Sequence, residues 1–339
     1  MHVTIKDVAR LAGCSTKTVS RVINNQAEIS DDTRARVQAA IAELGYRPNF
    51  LARSLVNRRT NTVAVVAWGI DLFGPSRTVV GIEHQADVLG YSLMLNLRCN
   101  PTDNEVDAVL ELLAGRRVDG IIWAVPEVCE NRKWVRPGRL ESLPPMVLLS
   151  MAPRPGLPVV AVNNLAGAMQ AVQHLVNCGR NKIGIITGPL TWWEARERLA
   201  GWKQVLVRAR LPSSTELVVE GDWSAASGER GMRALLAQER RLDAVFACND
   251  QMALGALGVL RASGRGIPED MAIVGFDDIP EAAYFNPPLS TVHQPLDELG
   301  RAAVRRLHGL IEAQREGRLP TEAGATLLDP RLVVRSSSS

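Results

Sequence analysis

The stretch Thr4-Ile5-Lys6-Asp7-Val8-Ala9-Arg10-Leu11-Ala12-Gly13-Cys14-Ser15-Thr16-Lys17-Thr18-Val19-Ser20-Arg21-Val22-Ile23 carries two helix starts with a helix stop between them. Thr4 and Asp7, three residues apart, have the form of a capping box, which satisfies orphan amides at a helix start. Val8, Ala9 and Leu11 supply an apolar stripe, and Gly13 can take the left-handed conformation that closes a helix. Ser15, with Thr18 three residues on, begins the next one. A helix ended by glycine and restarted two residues later has to turn sharply, which predicts a helix-turn-helix. At helical spacing Val19, Val22 and Ile23 share an arc that faces a core, while Thr16, Lys17, Ser20, Arg21 and Asn24 share the opposite arc. That outer arc holds no acid. Arg and Lys suit guanine edges and Asn suits adenine; the plainer alternative is a solvated polar face.

Outward from this stretch, a third helix is expected from Ser30-Asp31-Asp32-Thr33, burying Val37, Ala40, Ile41 and Leu44 and stopping at Gly45. Tyr46 to Leu55 follows, with Pro48 fixing the entry, Asn49 available as a cap, and Leu51, Ala52 and Leu55 as a short apolar stripe. A helix that short does not persist alone in water and needs a partner surface, such as its copy in a dimer plus DNA. Charge favours the nucleic-acid reading over the solvated face. Residues 1–60 hold ten lysines and arginines against five acids, whereas the other 279 hold 29 basic against 31 acidic groups. A basic head on a near-neutral body points to a polyanion reader attached to something else.

The segments TIKDVARLAGCSTKTVSRVINN and ISDDTRARVQAAIAELGYRPNFLARSL resemble the DNA-binding head and hinge of the lactose/galactose repressor (LacI/GalR-type) family. The resemblance implies that Thr16, Lys17 and Arg21 read bases in the major groove. Ser15, Thr18, Ser20, Asn24 and Thr33 would hold phosphates, with Thr4 and Asn49 completing the DNA-facing set. Ala52 and Leu55 would enter the minor groove, Leu55 from each subunit wedging a central base step. In the family the hinge helix forms on the operator, so the hinge is the switch.

From residue 62 onward, apolar runs of strand length alternate with helical periods. Strands are expected at Val63–Ala67, Ser92–Asn96, Gly120–Trp123, Met146–Leu149, Val159–Val162, Ile183–Thr187, Leu217–Val219, Ala244–Ala247 and Met271–Gly275. Helices are expected at Val79–Leu89, Asn104–Leu113, Leu165–Val176, Arg196–Val207 and Met252–Arg261, among others. Such alternation implies parallel sheets covered on both faces, here in two lobes. Ligands of open parallel sheets sit beyond the strand carboxyl ends, and tryptophans gather there: Trp68, Trp123, Trp192-Trp193 and Trp223. Seven Trp against three Tyr and five Phe is a bias that core packing alone does not produce. Indole faces beside hydrogen-bonding groups suit sugar rings. Asp71, Arg196, Asn249, Asp250, Asp277 and Gln294 are the polar candidates in matching positions, although any single Trp is as readily a core residue.

GPLTWWEARERLAGW, EGDWSAASG, ACNDQMALGAL, IVGFDDIPEAAYFNPPLSTVHQP and DPRLVVRSS continue the resemblance, toward its lactose-repressor branch. The resemblance implies a body like the periplasmic sugar-binding proteins. The division expected is a helix-turn-helix domain at 1–46, a hinge at 47–60, a first lobe of 61–160 with 293–321, and a second lobe of 161–292 with 322–335. Arg196, Trp223, Asn249, Asp277 and Gln294 would contact an effector, joined by Trp68, Asp71, Trp123, Ser150 and Trp193. Ser150 stands where that branch carries a sugar-binding Asp, and Trp68 where it carries Ser, so galactoside specificity does not carry over. Leucine heptads are absent and the chain ends Arg335-Ser336-Ser337-Ser338-Ser339, so a homodimer is expected rather than a tetramer.

The function expected is a transcriptional repressor released from a palindromic double-stranded operator by a small sugar. The alternative is a repressor that needs a purine-like or other small co-repressor. No catalytic role, cofactor or metal site is expected. The five cysteines lack CxxC spacing and the five histidines lack ligand spacing. No GxGxxG follows a strand, and P-loop, GxSxG and HExxH motifs are missing. The adjacent Asp277-Asp278 pair points its carboxylates apart, which is poor geometry for acid–base work. No apolar run of membrane length and no signal peptide is evident, so a cytoplasmic protein without membrane contact is expected and a secreted transport protein is disfavoured.

Overall fold

The computed structural model describes residues 3–23, 29–47, 59–102, 105–318 and 324–339, in two units spanning 1–60 and 61–339. The first unit holds helices α1 (Ile5–Ala12), α2 (Thr16–Ile23) and α3 (Asp31–Leu44). Each start uses a side chain within four residues. Thr4 donates its N–H and its hydroxyl to Asp7 Oδ2, at 3.0 and 2.7 Å. Ser15 Oγ accepts the Thr18 N–H at 3.0 Å, and Ser30 Oγ accepts that of Thr33 at 3.4 Å. Gly13 and Gly45 close α1 and α3 at φ 62° and 58°, a region glycine enters without a Cβ penalty. Val8, Val19 and Val37, one from each helix, are fully buried together with Ala9, Ala12, Val22 and Ala40. Asn24, Asn49, Ala52, Leu55 and most of the expected hinge lie outside the described residues.

In the second unit the chain runs β1 (Thr62–Ala67), α4 (Phe73–Val88), β2 (Ser92–Leu97), α5 (Val106–Gly115), β3 (Gly120–Ala124), the single turn α6 (Pro137–Leu140), β4 (Met146–Leu149) and β5 (Val159–Val162). It continues through α7 (Asn164–Asn177), β6 (Ile183–Thr187), α8 (Trp193–Arg208), β7 (Val218–Glu220), α9 (Ala225–Gln238), β8 (Ala244–Ala247), α10 (Asp250–Ala262), β9 (Ala272–Asp277) and β10 (Ser290–His293). It closes with α11 (Leu296–Arg315), β11 (Ala325–Leu328) and β12 (Arg331–Val333). Two six-stranded sheets result, in the orders β11-β5-β4-β3-β1-β2 and β12-β10-β9-β8-β6-β7. All pairings are parallel except β12 on β10. Parallel sheets are covered by helices on both faces, hence the unbroken burial of Val63–Ala67, Ile183–Thr187 and Ala272–Asp277.

Two expected boundaries are corrected. Residues 322–335 do not belong wholly to the second lobe, because β11 runs parallel beside β5, from Ala325 opposite Val159 to Leu328 opposite Val162. It pairs with what would otherwise be an open edge of the first sheet, so the final crossing falls between β11 and β12. The first crossing falls likewise after Val162, where β5 ends, rather than at 160. The terminal serines are built in: Ser337 and Ser338 are buried, and Ser337 Oγ donates to Ile273 O at 2.7 Å.

Candidate functional site

In the first unit, α2 presents Thr16 and Lys17 to solvent, while Val19 and Val22 bury against α1 and α3. Ser20 and Arg21 are half-buried beside them. Ser15 and Thr18 are bonded to each other at the start of α2, and Ser30 and Thr33 at the start of α3. Each pair sits at a helix N-terminus, where free amides favour an anionic oxygen. Thr4 is exposed, and its two bonds hold the Asp7 carboxyl below the usual carboxylate range.

In the second unit, a cavity of about 320 Å³ lies among the carboxyl ends of strands from both sheets. The first lobe contributes Asp71 and the start of α4 after β1, and Ser150 after β4. The second contributes Trp192, Glu194 and Arg198 at the start of α8, Trp223 after β7, Asn249 after β8 and Asp277 at the end of β9; Gln294 follows β10. Ser150, Trp223, Asp277 and Asp278 take positive φ of 50°, 72°, 119° and 55°. Such strained backbone gathers at functional sites, where the surroundings over-determine it. Trp223 also needs Gly188: a Cβ there would lie 2.1 Å from the indole ring.

Arg198 organises the floor of the cavity. Its Nε donates to Asn164 Oδ1 at 2.8 Å and its Nη1 to Cys248 O. The guanidinium stacks 3.8 Å from the Phe276 ring centre and 5.4 Å from that of Trp223. Asp277 lies beside it and accepts from Gln294 Nε2 at 2.6 Å. Burial pushes the Asp277 carboxyl up to about 6 against the pull of Arg198. Burial raises Asp250 well above the ordinary range, with neighbouring Asp277 adding to it, and its carboxylate is spent on Thr291 Oγ1 and the Ile279 N–H. Asn249 caps α10 by accepting the Met252 N–H at 2.8 Å and donates to Trp223 O. Burial raises the Glu194 carboxyl to about 7, while Arg198, Ser150 and Arg132 pull it down.

Of the effector residues expected from sequence, the cavity brings together Asp71, Ser150, Trp223, Asn249, Asp277 and Gln294. Four lie elsewhere. Arg196 faces out, and its Nη1 holds the Leu190 and Thr191 carbonyls. Because α8 begins at Trp193, Glu194 and Arg198 share one face a turn apart, and Arg196 falls on the other. Trp123 is buried within β3, packed edge-on against Trp134 with ring centres 4.8 Å apart. Trp68 does not line the cavity; it stands outside Trp192, ring centres 5.5 Å apart, its indole N–H on Cys99 O. Trp193 is 7% exposed and buried in a cluster otherwise drawn from the first lobe, including Val66, Leu148 and Ala161. Residues 191–193 thus clasp the two lobes. The Cys129 N–H donates to Thr191 O at 2.9 Å, the Trp193 N–H donates to Glu127 O at 3.0 Å, and Val128 pairs antiparallel with Trp192. Sequence reasoning missed Arg198 and Glu194; of the Trp192-Trp193 pair expected at the strand ends, Trp192 lines the cavity. Among the described residues, no group of His, Cys, Asp and Glu is placed to hold a metal ion and no helix is long and apolar enough to cross a membrane.

Comparison with known proteins agrees with both parts. Residues 4–49 match the sequence profile of bacterial regulatory proteins of the lacI family, and residues 172–338 that of a periplasmic binding protein-like domain. The chain is 36% identical over 337 residues to the HTH-type transcriptional repressor PurR of Haemophilus influenzae, covering 98% of each. It is 39% identical over 306 residues to the ribose operon repressor of Escherichia coli, covering 89% of this chain and 91% of that one. Among solved structures, a lac repressor dimer bound to operator and the anti-inducer ONPF superposes with a TM-score of 0.88 at 33% identity, covering 100% of this chain and 99% of that one. A complex of the regulator CelR with cellobiose superposes at 0.71 and 35% identity, covering 99% and 100%. With a helix-turn-helix head, a two-lobed α/β body around a ligand-sized cavity, and relatives aligned nearly end to end, the chain belongs to the lacI family of bacterial regulatory proteins.

Proposed function

We propose that the protein is a homodimeric transcriptional repressor that reads a two-fold operator through α2 and is released by a small sugar bound between its lobes. One observation carries this reading: a single chain joins a helix-turn-helix presenting Thr16 and Lys17 to a cavity walled by Trp192, Trp223, Asp71 and Asp277. Indole faces take the C–H faces of a sugar ring, and the carboxylates and amides take its hydroxyls. Relatives of this architecture include a ribose operon repressor and a regulator in complex with cellobiose. In this role Thr16, Lys17 and Arg21 face the major groove, Ser15, Thr18, Ser20 and Thr33 meet phosphates, and Arg198, Trp223, Asn249, Asp277 and Gln294 contact the sugar. A purine-like co-repressor is the second reading, because a flat base would also stack on Trp192 and Trp223; the acceptor-rich wall favours a polyol. Selection of bound duplexes from a random library tests the proposal. A recovered two-fold site from which a sugar releases the protein is the expected result. Salt-sensitive binding without an enriched site would sink the operator reading, and a site bound more tightly with a purine base would replace the sugar reading with the second one.

A further inference from the structure

We infer that the cavity takes an uncharged sugar and turns away phosphorylated and carboxylated ones, with Glu194 as the residue that sets this selection. The inference rests on the sugar reading above and narrows it. Among the described residues, four carboxylates, Asp71, Glu194, Asp222 and Asp277, line the cavity against one arginine, Arg198. That arginine is already committed. It is hydrogen-bonded to Asn164 and Cys248, stacked between Phe276 and Trp223, and set beside Asp277, whose carboxyl it stabilises. Asp222 pairs with Arg230 at 3.0 Å and with Ser224, so these two charges offset each other. Asp71 and Asp277 keep the wall acidic.

Helix N-termini are the other device by which a protein attracts a phosphate. Two of those at this cavity are occupied by the chain itself: Glu194 stands in the first turn of α8, and Asn249 Oδ1 caps α10 by accepting the Met252 N–H. Above pH 7 the Glu194 carboxylate places a negative charge where a ligand anion would otherwise gain from the helix dipole.

Glu194 is the deciding group by position. It lines the cavity, and its Oε2 is enclosed without a hydrogen-bond partner among the described residues. The charged and polar groups that act on it are its own backbone N–H, Arg198 beside it in the wall, the Ser150 hydroxyl from the opposite lobe, and Arg132. Arg132 is buried and donates to the Val125 and Leu149 carbonyls; it does not line the cavity. A hydroxyl donor from a ligand satisfies this carboxylate, whereas a ligand anion leaves it unsatisfied and repels it. Two like charges about 6 Å apart at an effective dielectric constant of about 20 weaken binding about a hundredfold.

The test is calorimetric titration of the full chain at pH 8 with glucose, galactose, ribose, maltose, cellobiose and lactose, and with glucose 6-phosphate, ribose 5-phosphate and glucuronate. The expected result is a neutral sugar that binds, with its charged derivative weaker by about a hundredfold. In Glu194→Gln that gap closes to about tenfold or less, and Glu194→Ala, which leaves no long side chain to misplace, closes it likewise. A charged derivative that binds as tightly as its neutral parent overturns the inference and leaves the sugar reading standing. A gap unchanged in both variants overturns the role of Glu194. If no sugar of either kind binds, the sugar reading falls and this inference falls with it.

Discussion

At the scale of single residues, the contrast between Arg196 and Arg198 shows how two positions on one helix part company. Arg196 ties down the loop before α8, and Arg198 sits between two aromatic rings against a buried carboxylate. Arg198→Ala is expected to abolish sugar binding and to cost about 3–5 kcal/mol, because it leaves Asp277 buried beside no cation. Arg196→Ala should cost under about 1 kcal/mol and leave sugar binding intact; calorimetry and denaturant melts of both variants check this, and equal effects would count against the assignment. Glu194 makes a second prediction. Its carboxyl is raised from 4.5 to about 7 by burial, so the folded state holds a proton that the unfolded state gives up. The stability this lends is full below pH 4.5 and is lost as pH rises through 7. Glu194→Gln should therefore melt like the parent at pH 4 and be more stable by about 1–3 kcal/mol at pH 8. A difference independent of pH would refute it.

At the scale of elements, the clasp at 191–193 links the two lobes away from the chain crossings. Trp193 leaves the second lobe to fill the first lobe's core, and flanking backbone bonds to Glu127 and Cys129 fix its angle. Trp193→Ala is expected to cost about 3–5 kcal/mol in a denaturant melt of the full chain and to weaken sugar binding, since the closed cavity loses its tie. Unchanged melting would show that the ring adds nothing to closure. The expected helices and strands match the observed ones best where the signal is local. The caps at Ser15 and Ser30 and the stops at Gly13 and Gly45 each act within a turn of chain, and so were legible. The early starts of α4 and α8 were not, because loop residues recruited into a first turn carry no apolar period of their own.

At the scale of the whole molecule, the proposed release by sugar requires sugar binding and operator binding to compete. A hundredfold loss of operator affinity corresponds to a coupling of about 2.7 kcal/mol. The sequence by itself determined the helix-turn-helix head, the alternation that builds two parallel-sheet lobes, and the cavity residues Asp71, Trp223, Asn249, Asp277 and Gln294, whereas Ser150 rested on the family resemblance. Those features follow from periodicity, caps and strand ends, which act over short stretches of chain. Tertiary structure alone decided that Arg198 rather than Arg196 enters the cavity, that Trp193 belongs to the opposite lobe's core, that Glu194 faces Ser150, and that β11 closes the first sheet. Each of these depends on which distant strands and helices become neighbours, and long-range packing of that kind leaves no periodic trace in the chain.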